Sequence, residues 1–401
     1  MMGKMRRSSD RDVRVEYDEH STLIGAPKTT AAGLRAVLVS AQRGFREMGL
    51  IRTAQAWRRL NQRDGFDCPG CAWPEDHGGR KLAEFCENGA KAVAEEATLR
   101  VVTPEFFARH SVTELAGKPE YWLSQQGRLT HPMVLRPGDD HYRPIEWDAA
   151  FSLIGEQLRE LPTPDAAAFY TSGRTSNEAA FLYQLMVRSF GTNNLPDCSN
   201  MCHESSGTAL TESIGIGKGS VTVADLEQAD LIVIAGQNPG TNHPRMLSVL
   251  EKAKENGATI VAINPLPEAG LIGFKDPQKV HGVVGRGIPI ADEFVQIRIG
   301  GDMALFKGLG RLLMEAEDRA PGGVVDRDFI AAHCHGFDEY EADIRKVDLE
   351  TVVTATGIDR VQLDRVATLL ARSRKTIVCW AMGLTQQTHA VATIAEATNL
   401  L

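Results

Sequence analysis

The chain has 401 residues, 43% of them hydrophobic and 24% charged, with a formal net charge of −8. That length allows two or three domains, each with its own core, and the acidic balance argues against a nucleic-acid binder, which carries a basic face or stripe. Seven cysteines are too few for a disulfide scaffold, and no apolar run reaches membrane-spanning length.

Residues 1–30 are charged and polar and are expected to form a loose arm. Arg6-Arg7 is followed by polar residues instead of an apolar segment, so no export signal is expected and the cytoplasm is the expected location. From Ala31 to Leu60 the spacing of Leu34, Val37, Leu38, Phe45, Leu50 and Trp57 predicts a helix with one apolar packing face. Cys68-Pro-Gly-Cys71 then makes a tight turn that aims two sulfurs at one point, and Cys86 returns after a short connection. Three thiolates held this way suit an iron–sulfur cluster or zinc. A thioredoxin-like dithiol is a third option, but it has no need of Cys86.

Residues 120–150 read as loops and short strands. A helical pattern starts at Asp148, and Ala166–Tyr170 is a candidate buried strand. Thr175-Ser176-Asn177-Glu178 reads as a capping box that opens a helix with Leu182, Leu185, Met186 and Phe190 on its apolar face, ended by Gly191. Next comes Asp197-Cys198-Ser199-Asn200-Met201-Cys202-His203, which puts two cysteines and a histidine into one polar segment. A thiolate binds metal, and a neighbouring imidazole changes protonation near neutral pH. Cys202 is therefore a candidate metal ligand and His203 a candidate proton acceptor. An ordinary buried cysteine beside a loop histidine is the plainer alternative.

Beyond this point strands and helices alternate. Leu231–Gly236 is all apolar, as a parallel strand buried on both faces should be. A helix is expected from about Pro244 to Asn256, with strands at Thr259–Ile263, Phe294–Ile299 and Thr376–Trp380. This order predicts an α/β domain with a mostly parallel sheet. Ligands of such sheets lie beyond the strands' carboxyl ends, and three of those ends carry Gly or Asn: Gly236 with Asn238 and Gly240, then Asn264, then Gly383. A phosphorylated cofactor suits them, although no Gly-x-Gly-x-x-Gly fingerprint marks an NAD site. His333-Cys334-His335 is expected to be a helix end packed on the domain, and Cys379 a core residue.

Taken together, several motifs resemble the molybdopterin-dependent oxidoreductases, in the branch of formate dehydrogenase H-like and YdeP-like proteins. They are Cys-Pro-Gly-Cys-Ala-Trp-Pro at 68–74, Phe-Cys-Glu-Asn-Gly-Ala-Lys at 85–91, Thr-Ser-Asn-Glu at 175–178, Gly-Thr-Asn-Asn at 191–194, Asp-Cys-Ser-Asn-Met-Cys-His at 197–203, Gly-Gln-Asn-Pro-Gly-Thr-Asn-His-Pro at 236–244 and Trp-Ala-Met-Gly-Leu-Thr-Gln at 380–386. The resemblance implies a [4Fe-4S] cluster at Cys68, Cys71 and Cys86, and a molybdenum or tungsten ion carried by two molybdopterin guanine dinucleotides. By position, Cys202 matches the metal ligand and His203 the adjacent histidine. Gly236, Asn238, Gly240, Asn242 and His243 match the loop around one dinucleotide. Asn264 and Pro265 match a second contact point, and Met382, Gly383 and Gln386 a third.

The implied fold is an iron–sulfur region followed by Rossmann-like doubly wound domains of the formate dehydrogenase/DMSO reductase type. The expected boundaries are an arm and helix at 1–60, the iron–sulfur region at 61–140, the first part of a discontinuous α/β domain at 141–196, and the dinucleotide-binding domain at 197–401. The implied activity is two-electron oxidation of formate or a similar small molecule, with electrons passed to the cluster and on to a redox partner protein. A non-catalytic binding subunit and a structural zinc protein are the alternatives. Three departures stand out: Glu75 occupies the place of a third cluster cysteine, Asn88 that of a family lysine, and family members continue past Leu401, so the resemblance implies an N-terminal portion.

Overall fold

The computed structural model describes residues 26–71, 73, 74, 79, 80, 83–196 and 198–401. Glu75, Asp76, His77 and Asp197 lie outside the described residues, as does most of the expected N-terminal arm. The chain divides into two compact units. The first draws on residues 35–71, 80 and 83–196, and the second on 29–34, 73, 74, 79 and 198–401.

In the first unit, α1 (Gly33–Arg59) bends at Gly49, which sits at φ 69° and ψ 174°. The expected packing face is not the one that is buried. Leu34, Val37, Leu38, Phe45 and Leu50 are exposed, while Ala36, Ser40, Gly44, Glu47 and Met48 are buried at helical spacing. Small side chains let the helix approach its neighbours, and Glu47 is buried because it has a partner. Its carboxylate accepts from Arg100 Nε at 3.1 Å and from Thr98 Oγ1 at 2.9 Å. Met48, Leu60, Val93 and Ala94 form a small core that includes α2 (Glu87–Glu96), with Trp57, Phe85 and Cys68 packed against it.

Farther along, α3 (Trp147–Arg159) buries none of its residues and α4 (Asn177–Phe190) buries only Val187. Trp147, Phe151, Phe181 and Leu182 are each about 60% exposed. The expected strand at Ala166–Tyr170 is absent: Pro164–Ala166 is a 3-10 turn, followed by extended chain that belongs to no ladder. Phe169 N still donates to Asn194 O at 2.9 Å. The cap of α4 is Ser176, not Thr175, with Ser176 Oγ accepting from Ala179 N, and Gly191 closes the helix at φ 109°.

The second unit opens with α5 (Cys198–Ile214), a helix where the polar sequence carried no helical pattern. Its sheet is built from β1 (Leu231–Ala235), β2 (Thr259–Asn264), β3 (Glu293–Gln296) and β4 (Thr376–Trp380), all parallel in the order β4-β1-β2-β3. The register pairs Leu231 with Thr376 on one side and with Thr259 on the other. Successive side chains of β1 serve opposite faces. Leu231, Val233 and Ala235 join a core with Leu305, Leu309 and Ile394, whereas Ile232 and Ile234 join one with Met246, Leu247 and Leu250. This doubly wound arrangement explains the unbroken apolar run of β1.

Helix α6 (Pro239–Asn242) follows β1, with α7 (Met246–Glu255) after it, and α8 (Ala269–Ile272) follows β2. Helix α9 (Asp302–Arg319) packs on α10 (Arg360–Arg372) and on α12 (Ala390–Leu400), and α5 lies against α12. The short α11 (Met382–Thr385) leaves β4. His333 ends a short helix, Arg327–His333, as expected, but the segment 333–336 is exposed and not packed on the domain. Cys379, by contrast, packs in the sheet, where burial pushes its thiol pKa up to about 12. Among the described residues no helix is long and apolar enough to cross a membrane.

Candidate functional site

The strand order fixes where a ligand belongs. From β1 the chain moves to β2 and β3 on one side, then returns to β4 on the other, so the switch point lies at the carboxyl ends of β1 and β4. Gly236 and Gly383 meet there. Gly383 N donates to Gly236 O at 3.0 Å, and a Cβ on Gly236 would lie 2.8 Å from Gly383 Cα. Gly236 also takes φ 59°, a conformation costly for other residues. A second bare contact stands beside the first, since a Cβ on Gly240 would lie 2.9 Å from Gly270 Cα.

The loop between β1 and α7 is braced from within. Asn238 Oδ1 accepts from Thr241 N at 3.2 Å, and its Nδ2 donates to Glu268 Oε2 at 2.6 Å. Buried Asn264 donates from Nδ2 to Gln237 O at 3.0 Å, and Pro265 O accepts from Gln296 Nε2 at 3.0 Å. Asn242 is exposed, and His243 stands in tilted contact with Trp73, with ring centroids 6.4 Å apart. Met382 and Gln386, at the two ends of α11, are both exposed. Gln387 Nε2 donates to Gly383 O at 2.5 Å and to Asp302 Oδ2 at 2.8 Å. Burial raises the pKa of Asp302, and the Gln387 bond opposes that shift.

Cys202 and His203 reach this edge through α5. The helix breaks at His203, with φ −133° and ψ 19°. Beyond the break, Ser205 Oγ donates to Thr385 O at 3.1 Å. Ser206 Oγ accepts from Trp380 Nε1 at 2.9 Å and lies 3.2 Å from His203 Nδ1. The Cys202–His203 pair is therefore tied to the end of β4 and to α11. Cys202 is a partly exposed free thiol. Partial burial lowers the pKa of His203, although the residue as a whole is exposed. His243 is lowered too, first by burial and then by the charge of His203, which places the two imidazoles within electrostatic reach.

The residues present fit a large polar ligand. Buried polar atoms are nearly always paired in native proteins, yet Gln237 Oε1, His243 Nδ1 and Thr385 Oγ1 are buried with no hydrogen-bond partner among the described residues. All three sit on the segments that leave β1 and β4, beside the two glycine contacts. Gln237, Thr385 and Gly270 were not singled out in the sequence; Gln237 and Thr385 stood inside recognisable motifs, but nothing local distinguished Gly270.

In the first unit Cys68, Cys71 and Cys86 are free and partly buried. Cys68 Sγ accepts from Gly70 N at 3.3 Å, and Cys86 Sγ caps α2 by accepting from Gly89 N at 3.4 Å. A Cβ on Gly89 would lie 2.8 Å from Cys68 Sγ and 3.9 Å from Cys86 Sγ. Burial raises the pKa of Cys86, the Gly89 bond opposes it, and the neighbouring sulfurs of Cys71 and Cys68 raise it further. The three sulfurs are thus neighbours, but among the described residues no group of three or more His, Cys, Asp or Glu is arranged to hold a single metal ion.

A doubly wound sheet with a glycine-lined switch point and unpaired polar atoms has the form of a ligand-binding edge. Comparison with known proteins identifies the class. The family model for molybdopterin oxidoreductases matches residues 128–401, and the chain belongs to that family. It is 74% identical over 396 residues to an uncharacterized oxidoreductase of Mycobacterium tuberculosis, covering 99% of this chain and 51% of that protein. Protein YdeP of Escherichia coli is 42% identical over 376 residues, covering 92% and 49%. Formate dehydrogenase H of Escherichia coli is 29% identical over 278 residues, covering 68% and 36%. The chain spans about half the length of the two more similar of these relatives. Among solved structures, acetylene hydratase from Pelobacter acetylenicus shares the fold with a TM-score of 0.55 at 18% identity, over 67% of this chain and 34% of that one.

Proposed function

We propose that this chain is the cofactor-holding part of a molybdopterin oxidoreductase that removes two electrons from formate or a similar small molecule. The observation that carries the reading is the switch point, where Gly236 and Gly383 meet, three buried polar atoms lack partners, and the Cys202–His203 break is tied to the same edge. When bound, a molybdenum or tungsten pterin supplies the two-electron couple. Gly236, Asn238, Gly240, Asn242 and His243, with Asn264, Pro265, Met382, Gly383 and Gln386, would hold the dinucleotide. Bare backbone at the glycines permits close approach, and the unpaired atoms of Gln237, His243 and Thr385 give it directional partners.

Cys202 would offer its thiolate to the metal. His203, oriented through Nδ1 by Ser206, would take up a substrate proton at Nε2, where its lowered pKa keeps it neutral and ready to accept. Cys68, Cys71 and Cys86 would bind an iron–sulfur cluster that passes electrons to a redox partner protein.

The test is metal and nucleotide analysis of the purified chain. Molybdenum or tungsten with acid-released guanine nucleotide is the expected result, with Cys202→Ala losing metal. Folded protein free of both would remove the reading.

A further inference from the structure

His243, in the loop that leaves β1, has a fixed backbone. Its N donates to Pro239 O at 3.0 Å, and its O accepts from Met246 N at 2.8 Å. Those bonds join α6 to α7 but leave the torsions of the ring itself open. Against the ring lies Trp73, a residue of the second unit that follows two positions after Cys71 in the chain. The ring centroids are 6.4 Å apart and the planes are inclined at 55°, within the geometry that aromatic pairs favour. The indole is anchored in its turn. It is half-buried and packs on the core that includes Ile232, Met246 and Leu247.

The loop has its own braces. Asn238 is bonded to Thr241 and Glu268, and Asn264 to Gln237. What the indole adds is a flat, rigid surface for the imidazole, at little cost in side-chain entropy. It also helps to shield the ring from water, in keeping with the downward push of burial on the His243 pKa. A neutral imidazole offers a donor on one nitrogen and an acceptor on the other, so its orientation decides which of them a ligand meets. We infer that Trp73 is a positioning residue of the ligand edge, which sets the orientation in which His243 meets a bound dinucleotide. The inference rests on the cofactor reading of His243 proposed above.

Carbon-13-labelled histidine gives a test that needs no activity. His243→Gln identifies the His243 signal in spectra of the cofactor-free chain. The indole ring current displaces that signal, so Trp73→Leu is expected to move it, and to broaden or split it as the imidazole samples further orientations. Trp73→Phe keeps an aromatic surface and should give one sharp signal. Both variants leave an apolar side chain on the core and should melt close to the parent. Chains purified with guanine nucleotide carry the second readout: Trp73→Leu should retain about two- to tenfold less per chain, the equivalent of one aromatic contact, with Trp73→Phe near the parent. An unmoved His243 signal in Trp73→Leu, or full nucleotide retention by that variant, overturns the inference. A parent chain free of guanine nucleotide sinks the cofactor reading instead, and the histidine spectra then decide alone whether Trp73 orients the ring.

Discussion

Gly236 and Gly383 lie 147 positions apart in the sequence, yet their backbones touch, joined by the 3.0 Å bond from Gly383 N to Gly236 O. Neither can accept a side chain. Gly236→Ala adds a left-handed backbone penalty to a 2.8 Å clash, and should cost about 2–4 kcal/mol in urea unfolding. Gly219→Ala, where nothing lies within 4 Å, should change stability by less than about 0.5 kcal/mol.

Thr385 separates a cofactor role from a structural one. Its buried hydroxyl has no partner, so Thr385→Val should leave cofactor-free protein within about 0.5 kcal/mol of the parent. The same variant should retain less guanine nucleotide through purification. A clear loss of apoprotein stability would show that the hydroxyl serves the fold.

Ser206 joins Trp380 and His203 through one oxygen. Ser206→Ala leaves the partly buried indole N–H of Trp380 unpaired and should destabilise by about 1–3 kcal/mol. It also releases the imidazole, so the histidine C–H signals in NMR should broaden or split relative to the parent, whereas Ser206→Thr should restore a single set.

Gly89 lies where a methyl would meet Cys68 Sγ at 2.8 Å. Gly89→Ala should displace that sulfur and lower iron content after anaerobic reconstitution, read by visible absorbance. Far-UV circular dichroism should hardly change, because alanine is a better helix former than glycine.

Glu47 gives the first unit an acid-labile point. Burial favours its neutral form, but the bonds from Arg100 and Thr98 outweigh this and hold the pKa below the usual glutamate value. Its contribution is present above the unfolded-state pKa of about 4.3 and is lost as pH falls through the lower native value. Arg100→Ala leaves the carboxylate to Thr98 and the more distant Arg43 and Arg46, and should cost about 2–3 kcal/mol at neutral pH, a loss that shrinks below pH ~4 as the parent loses the pair too.

Much of the second unit was legible because β1 and β2 are buried along nearly their whole length and carry apolar runs; Thr376–Trp380 matches its expected span and Leu231–Gly236 runs one residue past its observed end, whereas the half-buried Glu293–Gln296 was expected at Phe294–Ile299. The motifs around Cys202 and Gly236 likewise pointed to the family that the comparisons identify. What stayed hidden depends on distant partners. Gly383 and Gly270 gain their meaning only from Gly236 and Gly240. The buried stripe of α1 is small and polar because Arg100 neutralises Glu47 from 53 residues away, and periodicity of large apolar residues therefore chose the wrong face. Ala166–Tyr170 has strand composition, yet among the described residues it bonds beyond its own turn only to Asn194 and builds no ladder, because composition alone does not make one.

The uncovered apolar stripes of α3 and α4 govern how this chain behaves in a tube. Trp147, Phe151, Phe181 and Leu182 face water at about 60% exposure on helices that bury almost nothing else. Concentrating such a sample drives copies to hide these side chains against one another. Light scattering will rise with protein concentration and fall on dilution or with a mild non-ionic detergent, and any titration or assay on the isolated chain has to be run below that onset.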